Sequence, residues 1–170
     1  MTAVFSEIAP ATPSHILSTD KNTTDRSPIY LHVKDDSLSK DIVFEIYTDY
    51  FITSFMQALR LGSLLAIGLQ DDLFLFDLAK EQLIRSQKMS WYFSHLYANK
   101  HRIYAASAWN IICIDQSGVE IWKSPSLGID GVIVHSFGDG YIDGEGEWDP
   151  PGGWRPFRLD IETGRLAEKT

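Results

Sequence analysis

The sequence predicts a mainly β protein, an antiparallel meander assembled from repeated units of about four strands. Two observations predict it. The apolar runs are short, of strand length, and Gly, Asn or Asp bounds most of them. A strand–Asp–turn–strand pattern also returns along the second half of the chain. The chain has 170 residues, of which 44% are apolar, enough to bury a core without disulfide or metal. A β-sandwich is the alternative arrangement of the same strands.

Residues 1–28 are rich in Thr, Ser, Pro and Asp, and their apolar residues show no clear period. This composition predicts a mobile N-terminal arm ahead of a single β-rich domain over 29–170. A strand near Ile29–Val33 opens the ordered part. Asp41–Tyr47 follows, apolar and β-branched, interrupted by Glu45. Phe51, Ile52, Phe55, Met56 and Leu59 recur at helical spacing behind Asp49, which predicts a short helix near 50–60. Leu64–Leu69 and Leu73–Phe76 read as buried strands joined by a turn at Gln70-Asp71-Asp72. Ile103–Ala106 and Ile111–Ile114 form the next pair, and Val119–Trp122 follows Gln116-Ser117-Gly118. Val132–Val134 precedes a turn at Gly138-Asp139-Gly140.

Aligning the turns brings out the repeat. Residues 64–84 form one unit and residues 102–122 a second, with Asp77 and Asp115 at matching positions. Asp160 closes a third unit, whose extra length falls around Glu147 to Trp154. In each, Asp is placed to bond backbone donors of the turn, and Gly118 or Gly164 supplies a positive φ. The run Ile112-Cys113-Ile114-Asp115-Gln116-Ser117-Gly118-Val119-Glu120-Ile121-Trp122 resembles the quinoprotein-type (PQQ-like) β-propeller repeat, as does Phe157-Arg158-Leu159-Asp160-Ile161-Glu162-Thr163-Gly164. The first unit departs from that pattern, because Asp77-Leu78-Ala79-Lys80-Glu81 has no Gly. The resemblance covers roughly residues 64–166, room for about three units where a closed propeller takes about 4–8. It implies an incomplete propeller, a twisted sheet assembly, or a ring closed through a homodimer. Only the scaffold carries over. The family's quinone enzymes use a full ring and a metal-bound cofactor, so no cofactor is expected here.

Charge and motifs exclude several functions. With 15 Lys and Arg against 23 Asp and Glu, the formal charge is −8, and no basic cluster suits nucleic acid. A basic protein partner or a cation suits it better. No apolar window reaches membrane-spanning length and the N-terminus lacks signal-peptide character, so the expected location is the cytoplasm. The single cysteine, Cys113, lies in an apolar run and reads as a buried small hydrophobe. The five histidines show no metal-pair spacing, and the sequence has no P-loop, GxGxxG or GxSxG.

The most distinctive segment runs from Gly138 to Arg155. Asp139, Asp143, Glu145, Glu147 and Asp149 all fall on odd positions, so a strand over 140–148 turns them to one face with Tyr141. Like charges about 7 Å apart on one strand repel. The face therefore meets cations from neighbouring strands, docks a basic partner, or binds Ca²⁺ or Mg²⁺. An EF-hand is excluded, since its third and twelfth positions would be Tyr141 and Pro150, and no metal site is assigned. Asp149-Pro150-Pro151-Gly152-Gly153-Trp154 is a stiff turn flanked by Trp148 and Trp154; with Arg155 these are residue types that anchor interfaces. Trp91, Tyr92, Phe93, Trp109 and Trp122 read as core aromatics.

These residues point to a non-enzymatic protein-interaction module, of inhibitor or immunity type. Its expected binding residues are Asp139, Tyr141, Asp143, Glu145, Glu147, Trp148, Asp149, Trp154 and Arg155. The alternatives are a small hydrolase using Glu145, Glu147 or His135, and a structural subunit that self-associates.

Overall fold

The computed structural model describes residues 1–9, 15–18, 27–48, 55–148 and 152–167. Within them fifteen strands form four sheets and no helix occurs. The first sheet holds β1 (Thr2–Ser6), β2 (His15–Ser18), β3 (Ile29–Asp35) and β4 (Lys40–Tyr47) in the order β1-β3-β4-β2, with β2 parallel to β4. The second is the meander β5 (Met56–Leu61), β6 (Leu64–Leu69), β7 (Asp72–Asp77) and β8 (Gln82–Lys88). The third is β9 (Phe93–Asn99), β10 (Arg102–Ser107), β11 (Ile111–Asp115) and β12 (Glu120–Lys123). The fourth has three strands, β13 (Val132–Phe137), β14 (Tyr141–Trp148) and β15 (Gly153–Asp160).

Three buried clusters lie between successive sheets. Leu31, Val33, Phe44 and Ile46 of the first sheet pack on Leu65, Ile67, Phe74 and Phe76 of the second. The opposite faces of the same second-sheet strands, through Leu64, Ala66, Leu73 and Leu75, pack on Phe93, Ile103, Ala105 and Ile112 of the third. Tyr104, Ala106, Cys113 and Trp122 then meet Val132, Val134, Ile142, Phe157 and Leu159 of the fourth. Hence LLAIGL and DLFLFD, β6 and β7, are buried at every position: their sheet is covered on both sides. Strands at the two ends alternate instead, because one face is wet. Among the described residues no buried cluster joins the first sheet to the fourth. The four sheets form an open, propeller-like stack.

The repeat extends further than the sequence suggested. Asp35, in the first sheet, accepts from Ser37 N (3.1 Å), Ser37 Oγ (2.6 Å) and Leu38 N (3.2 Å). Asp115 does the same for Ser117 N (2.9 Å), Ser117 Oγ (2.7 Å) and Val119 N (2.9 Å), and Asp160 for Glu162 N (3.1 Å), Thr163 N (2.8 Å) and Thr163 Oγ1 (2.8 Å). Asp77 accepts from Ala79 N at 2.9 Å and Lys80 N at 3.2 Å. A left-handed residue follows each turn: Ser39, Glu81, Gly118 and Gly164, with φ of 52°, 52°, 85° and 66°. The unit without glycine therefore keeps the same backbone and places Glu81 where the others tolerate Gly or Ser. Among the described residues there are four such units, not three.

Two further expectations are corrected. Thr2–Ser6 and His15–Ser18 are not part of a loose arm, because they pair with β3 and β4 and bring Leu17 and Phe5 to the first cluster. Met56–Leu61 is a strand, paired residue by residue with Leu64–Leu69 through a two-residue loop headed by Gly62, φ 64°. The remaining helical candidates, Phe51 and Ile52, lie outside the described residues, as does Asp49.

Candidate functional site

β14 reads Tyr-Ile-Asp-Gly-Glu-Gly-Glu-Trp, and its alternation is realised. Ile142, Gly144 and Gly146 are buried toward the third sheet, while Tyr141, Asp143, Glu145 and Glu147 lie on the open face. The glycines serve the buried side. A Cβ on Gly146 would stand 1.9 Å from Leu127 O, because the loop between β12 and β13 crosses the strand there. That loop is pinned by Ile129 N to Glu147 O (2.7 Å), Glu147 N to Gly131 O (2.8 Å) and Leu127 N to Trp109 O (2.7 Å).

The carboxylates do not stand as a bare repelling row. Asp143 sits opposite Arg158 of β15 and takes two bonds from it, at 2.7 and 3.1 Å. The Arg158 hydrogen bonds and charge hold the Asp143 carboxyl below its ordinary range. Arg158 also lies 5.4 Å from the Tyr141 ring. A register shift between Val134 and Ser136 accompanies His135, whose Nε2 is 3.4 Å from Glu145 Oε2. Glu147, opposite Trp154, forms no ion pair with a Lys or Arg among the described residues.

The expected binding residues therefore separate. Tyr141, Asp143, Glu145, Glu147 and Trp154 share the outer face of the fourth sheet. Asp139 lies in the exposed turn before β14 rather than on the strand. Trp148 and Arg155 pair with each other, the guanidinium 5.6 Å from the indole centroid, and Asp149 lies outside the described residues.

Three connections, β8–β9, β10–β11 and β12–β13, meet at the end of the stack where β14 finishes. Tyr92, in the loop between β8 and β9, donates to Asp130 O at 2.6 Å and stacks 6.1 Å from Phe55. Trp109, between β10 and β11, donates through Nε1 to Ile129 O at 3.0 Å. Trp91 is 60% exposed and holds φ at 74°, a conformation rare for a bulky side chain. Thus Tyr92, Phe93 and Trp122 are buried as expected, whereas Trp91 and Trp109 lie at the surface. The sequence reading missed Tyr92, Asp130 and Gly131 as residues of this loop cluster. The signal was the connection after Lys123, longer than the hairpin turns and carrying Gly128 and Gly131.

The small-hydrolase reading gains no support here. Glu145 and His135 are 41% and 53% exposed on an open sheet. Two cavities among the described residues, of about 480 and 220 Å³, lie beside Asp77, Lys80 and Gln116, and beside His101, Arg102 and Glu162. Among the described residues no three His, Cys, Asp or Glu are grouped to hold a metal, and no helix is long and apolar enough to cross a membrane. Burial pushes the Cys113 thiol up to about 11.

No family model matches the sequence, and comparison with curated proteins finds no match. Solved structures do match. Hydrazine synthase of Kuenenia stuttgartiensis aligns with a TM-score of 0.59 and 16% identity, over 92% of this chain and 48% of that one. The computationally designed Ika8 protein gives 0.55 and 13%, over 88% and 46%. A chain of the mitotic checkpoint complex gives 0.51 and 13%, over 84% and 44%. Hydrazine synthase and the checkpoint chain are β-propeller-like repeat proteins. The fold is thus that of a β-propeller-like scaffold, and the chain spans about half the length of these neighbours. At such identities the likeness concerns the fold alone; a quinone-specific kinship has no further support.

Proposed function

We propose that the chain is a protein-interaction module that docks a basic partner on the outer face of its fourth sheet. One observation carries the reading. That open face alternates exposed aromatics, Tyr141 and Trp154, with carboxylates, Glu145 and Glu147, on two paired strands. Aromatic anchors beside carboxylates that no Lys or Arg of the described residues pairs are what a partner's cationic residues recognise. The −8 net charge favours encounter with such a partner.

The test is capture from native lysate with tagged protein, read by mass spectrometry. Its control carries Glu145→Ala, Glu147→Ala and Trp154→Ala together. Asp143 is kept, because removing it would leave Arg158 without its partner. A stoichiometric partner retained by the native protein and lost by the control is the expected result. Equal capture by both proteins refutes the docking face.

A further inference from the structure

Gly131 forms the floor of a small cup. A Cβ there would stand 3.2 Å from Cη2 of Trp154 and 3.8 Å from both Glu147 Oε2 and the Tyr92 hydroxyl. An indole, a carboxylate and a phenol thus converge on one volume from β15, β14 and the loop before β9. A side chain at 131 would crowd the indole from below, and φ of +152° also favours glycine. The Asp130 carboxylate stands close by, with Oδ1 3.4 Å from the Tyr92 hydroxyl.

The charges around the cup are one-sided. β14 finds a basic partner for Asp143 in Arg158 and for Glu145 in His135. The third carboxylate of the strand, Glu147, is the one beside the exposed indole, and neither it nor Asp130 forms an ion pair among the described residues. Burial, together with Asp130 and Glu147, pushes the Tyr92 hydroxyl up to about 12, so the phenol stays neutral. The walls are set beforehand, since Glu147 exchanges backbone bonds with Ile129 and Gly131 (2.7 and 2.8 Å) and Trp109 holds Ile129 O.

We infer that the cup of Tyr92, Gly131, Glu147 and Trp154 receives an arginine side chain of the partner protein, its guanidinium stacked on Trp154 and paired with Glu147. This rests on the docking reading above. Arginine fits better than lysine because its planar ion stacks on an aromatic face and bonds a carboxylate with two N–H groups at once. It also sheds water more readily than an ammonium does. A hard metal ion is a poorer occupant, since it wants six to eight oxygens rather than an indole wall.

The experiment needs no partner. The indole N–H signals of ¹⁵N-labelled protein are followed by NMR while N-acetyl-arginine amide is added, with Trp154→Phe identifying the Trp154 signal. N-acetyl-citrulline amide, the neutral isostere, is the comparison. A saturable shift of Trp154 is expected, with Kd of the order of millimolar for one isolated side chain. Citrulline amide should move it little, and Glu147→Gln should weaken arginine binding by roughly ten-fold or more while the spectrum stays dispersed. An unmoved Trp154, an equal response to citrulline, or unchanged binding by Glu147→Gln overturns the inference. Failure of the docking reading shows separately, as capture that the triple substitution leaves unchanged.

Discussion

Placing a single methyl group at residue 146 tests how the interaction end is built. In Gly146→Ala the new Cβ would lie 1.9 Å from Leu127 O and 2.6 Å from Leu127 C, where ordinary contact begins at 3.4 Å. The loop backbone must retreat by about 1.5 Å. That retreat pulls on the bonds from Leu127 N to Trp109 O and from Ile129 N to Glu147 O, both 2.7 Å. Overpacking of this kind costs about 1–3 kcal/mol. A weakened hydrogen bond adds about 1 kcal/mol. We expect a total near 3 kcal/mol, or about 6–12 °C in Tm for a domain of this size. Gly138→Ala is the internal control, with nothing within 4 Å of its Cβ; it should stay within about 0.5 kcal/mol of the native protein. Thermal and denaturant unfolding followed by circular dichroism measure both. Equal melting of the two variants would mean that the loop does not lie on β14.

Three more outcomes follow from the same structure. Stability should rise with pH between about 2 and 4. Bonds from Ser37, then Arg60 and Leu38, hold the Asp35 carboxyl at about 2 despite burial; Ser117 and Thr163 lower Asp115 and Asp160 in the same sense. For such groups the folded form gains above the unfolded pKa and loses that gain as pH falls through the folded value, so acid unfolding with a flat profile between pH 4 and 2 would contradict the four-turn account. Cys113, buried with its thiol raised to about 11, should resist alkylation at pH 8 until denaturant is added; fast labelling of the native protein would place it elsewhere. We expect a monomer, because the outer faces of the end sheets mix their exposed apolar residues, Val4 and Ile16 at one end and Tyr141 and Trp154 at the other, with His32, Lys34, Asp41 and Glu45 and with Asp143, Glu145, Glu147 and Arg158. Light scattering should give about 19.2 kDa, and twice that mass would favour closure of a ring by two copies.

What could be read in advance follows a physical divide. Strands covered on one or both faces announce themselves by composition, so β6, β7, β10, β11 and β14 were legible to within a residue at each end. The turns at Asp115 and Asp160 were legible because glycine marks their left-handed residue; the equivalent turn at Asp35 uses Ser39 and passed unnoticed. β1 and β2 were missed because each buries little: β2 sends only Leu17 fully into the core and leaves Ile16 67% exposed. The helical spacing of Phe55, Met56 and Leu59 was coincidence. In the strand, Leu59 and Leu61 face the third sheet while Ala58 faces the first, and the Gly62-Ser63 hairpin was the clue. At the site, alternation revealed which side chains share a face, but not their partners. Arg158 pairs with Asp143 because of register, and Tyr92 reaches Asp130 across 38 residues; neither relation has a local signature.

Because each cluster joins only neighbouring sheets, unfolding has a direction. To open, the second and third sheets must break two apolar interfaces each, whereas the first and fourth break one. Amide exchange should therefore be slowest along β6, β7, β10 and β11 and quicken toward both ends. The proposed recognition surface belongs to the fourth sheet, an element free to fray while the middle holds. A partner seated there would tie down the looser end, and its binding energy would appear as slower exchange in β14 and β15, reaching the centre of the stack only after the ends are quiet.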